Sequence, residues 1–61
     1  MDYYDVKRYG LLLAVQCEIE GMKAQNNAWM KDKGCNAWGE EHFDQKAEEL
    51  RNITFAHNEQ L

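Results

Sequence analysis

With 61 residues and a net charge of −4, the chain has room for a single domain, 1–61, and its core must be thin, because a chain this short buries only roughly 60% of the surface its unfolded form exposes. Only eleven residues are Leu, Ile, Val or Phe, and two Trp, three Tyr and three Met supply much of the remaining buriable area. An acidic excess without a dense basic stripe argues against nucleic acid and anionic membranes as partners; the longest apolar run, Leu11 to Val15, is far short of the ~20 residues of a spanning helix, and with no signal-peptide layout the expected location is the cytoplasm.

The chain has no proline, no low-complexity tract and no alternating strand pattern, so helix is the default from the start. Asp2 or Asp5 can cap a first helix, where a carboxylate meets exposed N–H groups and the positive end of the helix dipole. That helix is predicted over about 3–31, with Lys31 and Lys33 suiting its negative end and Gly34 offering the left-handed closing conformation. The turn follows from Lys33 to Gly39. Asn36 is the best side-chain cap for a second helix over about 37–57, and the last four residues are expected to fray. Two helices joined by a short connection imply an all-α, antiparallel two-helix hairpin.

Within the first helix, Leu12, Val15, Ile19, Met22, Asn26 and Trp29 recur at spacings of three and four and form one packing seam. The opposite side carries Gly10, Ala14, Cys17, Gly21, Ala24 and Ala28, small residues that let another backbone approach closely. The second helix offers one main apolar stripe from Phe43 through Ala47, Leu50 and Ile53 toward His57, with Trp38 at its mouth and Phe55 off it. The expected core is therefore Leu12, Val15, Ile19, Met22, Trp29, Phe43, Leu50 and Ile53. One short helix cannot cover both faces of the first, so the small-residue face is a candidate for a second copy, giving a dimeric four-helix bundle, or for another protein. Tyr3, Tyr4 and Tyr9 are expected to cover the open end of the bundle.

Cys17, Cys35, His42 and His57 form the ligand inventory of a structural zinc site, but none of their gaps matches the close pairs such sites use. Cys17 also lies mid-helix, about 20 Å along the axis from the helix end at 1.5 Å per residue, so it should not meet Cys35 in the turn. No metal and no cofactor is expected. There is no Ser, and no third group can be placed to orient a base, so an enzyme is not expected. Residues 36–61 carry six acidic against two basic side chains. Glu40, Glu41, Asp44, Glu48 and Glu49 read first as a solvated face and, as a sharper alternative, as a phosphate mimic that blocks a nucleic-acid-binding protein. A small metal-binding module is the other alternative.

The stretch YYDVKRYGLLL from Tyr3 to Leu13, the segment Glu18 to Ala24 and the run KAEELRNI from Lys46 to Ile53 resemble the small early proteins encoded between the exonuclease and excisionase genes of lambdoid bacteriophages. The resemblance spans most of the chain and brings no catalytic or ligand motif. It implies a phage or prophage protein acting in the bacterial cytoplasm, a dispensable modulator of host physiology and of the choice between lysis and lysogeny. Beside it, the residues themselves point to a non-enzymatic helical interaction protein whose partner is a host or phage protein or a second copy.

Overall fold

The computed structural model describes residues 2–61, which form two helices packed side by side and a terminal turn. Helix α1 spans Tyr3–Lys33. The Asp2 carboxylate caps it, accepting a hydrogen bond of 2.9 Å from the Asp5 N–H. At its other end Gly34 takes φ 74°, and its N–H donates to the carbonyls of Met30 and Trp29, the left-handed closure that glycine adopts without a Cβ penalty. The helix therefore runs through Asp32 and Lys33, two residues beyond the predicted stop, up to the glycine itself.

Helix α2 spans Glu40–Phe55. Its cap is Gly39 and not Asn36, which is exposed in the connection. The reason is that Trp38 is held before the chain can wind. The Asn26 side chain accepts from the Trp38 N–H at 2.7 Å and donates to the Trp38 carbonyl at 3.0 Å, satisfying both backbone groups of that residue. The first turn of α2 begins only after that pairing, and the Nδ1 of His42 accepts from the Gly39 N–H at 3.2 Å in place of a side-chain cap.

The far end of α2 is fixed from α1. The Arg8 guanidinium donates to the carbonyls of Ile53 and Ala56, at 3.1 and 2.6 Å, and to Asn58 Oδ1 at 3.3 Å. These carbonyls are at the negative end of the helix dipole, where a cation is most favourable. Ala56 leaves the helical region with ψ 144°, so α2 stops at Phe55, short of the predicted His57. The chain end, read above as frayed, carries a 3₁₀ turn, Asn58–Gln60, in which the Gln60 side chain accepts from the His57 N–H at 3.0 Å.

Between these two ends lies the seam. Val15 and Met22 are buried, while Leu12, Ile19, Asn26 and Trp29 are half-buried beside them; on α2, Phe43, Ala47, Leu50 and Ile53 are half-buried in turn. No side chain is sealed completely from solvent among the described residues. The molecule measures 46 × 18 × 11 Å, its long axis being the length of α1 at 1.5 Å per residue. With 16 residues, α2 reaches along about half of that length. Tyr3 and Tyr4 lie beyond the Arg8 tie where α2 ends, and Tyr9 is on the solvent flank. The three are 71%, 41% and 56% exposed, so the tyrosines do not cover the core as expected.

Replacing Asn26 with Ala leaves the Trp38 N–H and carbonyl, both part-buried, without partners, and is expected to destabilise the hairpin by about 1–3 kcal/mol in urea unfolding followed by circular dichroism. Asn26→Asp is expected to lose nearly as much, since a carboxylate accepts from the N–H but repels the carbonyl.

Candidate interaction surface

The two sides of α1 differ in what they can do. Along the covered side, Arg8 and Asn26 are joined by a third polar tie at mid-helix, where the Lys46 ammonium pairs with Glu18 across the helices and with Glu49 at 3.1 Å along α2. Lys46 is the less exposed partner, at 21%, because its stem lies along the seam with only its head at the surface. The hydrogen bond to Glu18, then that to Glu49, holds the ammonium above the ordinary lysine value of 10.5.

Opposite the seam runs a row of uncharged side chains, flanked by Lys7 and Glu20. Successive positions at spacings of three and four are Tyr3, Val6, Gly10, Leu13 and Cys17, and the row continues through Gly21, Ala24 and Ala28. All eight are exposed, as is Ala14 beside them. The small-residue face singled out by sequence is thus placed together on one side of α1 and is not used by α2. The sequence reading missed that bulky side chains extend the same row: Tyr3, Val6 and Leu13 are 71%, 55% and 48% exposed. The signal was in their shared spacing, masked because Leu11, Leu12 and Leu13 are adjacent and only one of the three lies on the seam. Nothing in the chain lies within 4 Å of where a Cβ at Gly10 or Gly21 would stand. Neither glycine is required by the hairpin.

A second surface lies at the open end. A groove of about 630 Å³ runs between Leu11, Ile53, Phe55, Ala56 and Leu61, with Phe55 81% exposed on its rim. A third, of about 550 Å³, lies near the connection between Met22, Gly21, Trp38, His42 and Lys46. There the Trp38 indole meets His42 edge-on at 5.1 Å and donates through Nε1 to Gln25 at 2.6 Å, so its polar edge is already satisfied.

The chemistry-bearing residues are not gathered. Cys17 is on the uncovered face of α1, Cys35 is an exposed thiol in the connection, His42 caps α2 through its ring, and His57 lies past the helix end. Among the described residues no group of three His, Cys, Asp or Glu side chains is placed to hold a metal ion. No helix among them is long and apolar enough to cross a membrane. On α2, Glu40, Glu41, Asp44 and Glu48 share the solvent side, where Arg51 pairs with Glu48 at 2.7 Å. Comparison with family models, with curated proteins and with solved structures finds no match for this chain.

The Lys46 tie has a defined pH dependence. A group whose folded value is raised contributes stability that is complete below its unfolded value, about 10.4. The contribution is lost as pH climbs through the raised folded value. Wild type is therefore expected to exceed Lys46→Met in stability at neutral pH, with the gap closing only as pH rises beyond 10.5. Paired urea titrations at neutral and strongly alkaline pH measure it; a gap unchanged at alkaline pH would assign the effect to lost packing of the stem.

Proposed function

We propose that this chain is a non-enzymatic interaction protein, acting in the bacterial cytoplasm as a phage or prophage early protein that modulates host physiology or the choice between lysis and lysogeny. The observation that supports an interaction role is the uncovered row of α1 from Tyr3 to Ala28, which carries Val6 and Leu13 in water between the flanking Lys7 and Glu20. A monomer that must only stay folded has no use for such a face. Of the residues suited to chemistry, His42 has structural work, its Nδ1 accepting from the Gly39 N–H, and the two cysteines stand apart from both histidines. The biological setting rests on the resemblance of the Tyr3–Leu13, Glu18–Ala24 and Lys46–Ile53 segments to the early proteins of lambdoid phages.

A second reading is favoured by the solvent side of α2, where Glu40, Glu41 and Asp44 are exposed and Arg51 is already paired with Glu48. Carboxylates spaced along a short helix can occupy a cleft built for phosphates. The two readings separate by salt, since a contact between exposed charges is screened and an apolar contact is not.

Co-purification of the tagged chain from bacterial cells, at low and high salt, tests both. Under the first reading the partner is lost on Leu13→Glu and survives raised salt. Under the second it is lost in salt and in the triple variant Glu40→Gln, Glu41→Gln, Asp44→Asn, and is indifferent to Leu13→Glu. In lysogenic cells, expression of wild type is expected to change the frequency of prophage induction, and Leu13→Glu is expected not to; equal effects of the two would remove the α1 face from the function.

A further inference from the structure

Three features stand outside the hairpin's own needs: the Phe55 groove, the acidic side of α2 and the uncovered face of α1. Of these the α1 face alone carries information about the shape of what covers it. Its first half is bulky, with Tyr3, Val6 and Leu13 exposed; its second half is small, with Gly21, Ala24 and Ala28 exposed. Turned end for end, this row fits itself. The midpoint falls at about residues 15–16, so that Tyr3 comes opposite Ala28 and Gly10 opposite Gly21, with Val6 opposite Ala24 and Leu13 opposite Cys17 to within one residue. We infer that the occupant of the uncovered α1 face is a second copy of this chain, running antiparallel and packed bulky half against small half to make a four-helix assembly.

Three further considerations agree with it. The first is the glycine pair. A glycine in a helix interior costs roughly 1 kcal/mol against alanine, and no atom of the chain occupies the space beside Gly10 or Gly21. Antiparallel pairing puts these two opposite each other, twice, about 8 Å to either side of the two-fold axis. The second is area. The chain exposes 4724 Å², against about 4,100 Å² for a compact monomer of its mass. A face about 38 Å long and a third of a helix circumference wide would remove about 500 Å² per copy, which brings the pair to the roughly 1,000 Å² that a specific interface requires. The third is symmetry. An isologous contact demands one patch complementary to itself, and antiparallel helices also oppose their dipoles favourably. A parallel pair would instead stack Tyr3 on Tyr3 and Leu13 on Leu13, leaving a gap along Gly21 to Ala28.

The inference rests on the interaction reading above and names the partner of the same face. Its test is the solution mass of the reduced chain by light scattering over a wide concentration range, together with site-specific cross-linking. In a Cys17→Ser, Cys35→Ser background, Val6→Cys and Ala24→Cys are placed on separate chains, mixed and oxidised; both positions are exposed and the changes small, and circular dichroism checks the helices. The expected result is a dimer of twice the 7.2 kDa chain mass, strong disulfide formation in the mixture and little for Val6→Cys alone, with Gly21→Leu weakening the dimer at least tenfold. Preferred cross-linking of Val6→Cys to itself would mean a parallel pair and would overturn the inference. So would a dimer that forms no cross-link at either position, or a monomer throughout. A monomer whose bacterial partner is still lost on Leu13→Glu overturns the second copy while leaving the interaction role standing; a monomer with no such partner overturns both.

Discussion

Two helices touch along one line only, and in this chain that line is short. Helix α2 has 16 residues against the 31 of α1, so among the described residues the seam buries only Val15 and Met22, with the other apolar contacts open on one side to water. Apolar burial of that kind is non-directional and says little about register. Register is set by the polar ties, each specific to a place: the Asn26 amide on the backbone of Trp38, the Lys46 ammonium between Glu18 and Glu49, and the Arg8 guanidinium on the last carbonyls of α2. They fall at the connection, the middle and the open end. Sliding α2 by one turn would break all of them together, whereas the stripe of Phe43, Leu50 and Ile53 would still find apolar neighbours.

The distinction between non-directional and directional contacts also explains what the sequence made legible. Hairpin, seam and closing glycine follow from local rules: Gly34 stops α1 through its own backbone freedom, and the three-and-four spacing of Leu12 to Trp29 names a face whatever covers it. Asp2 as the first cap is equally local. The cap of α2 was misplaced at Asn36 because its position depends on Asn26, twelve residues before Trp38, reaching across the connection. Nothing near Arg8 in sequence shows that the carbonyls at the end of α2, residues 53 and 56, come to lie beside it. The exposure of the tyrosines has the same origin: it depends on where α2 ends, which is a property of its partner helix and not of the segment Tyr3 to Tyr9.

The candidate surface was half legible for a related reason. Small residues at Gly10, Ala14, Cys17 and Gly21 announce a face because they recur against a background of larger side chains. Tyr3, Val6 and Leu13 belong to the same row, yet in sequence they merge with apolar neighbours that lie on other sides of the helix. Exposure separates them: Leu12 turns into the seam and Leu13 away from it.

A thin core and an uncovered face are two consequences of one shortage. The hairpin lacks the apolar residues to bury both sides of α1, so one side must be solvated or covered from outside, and charges at 3, 6, 10 or 13 would have solvated it at little cost. The chain instead keeps those positions uncharged and sets glycines where no atom of its own requires them. Those choices weaken an isolated hairpin, through helix propensity at Gly10 and Gly21 and through exposed apolar area at Val6 and Leu13. Were a second copy to cover that side, folding and association would become linked, and the concentration of the chain would govern how much of it is folded.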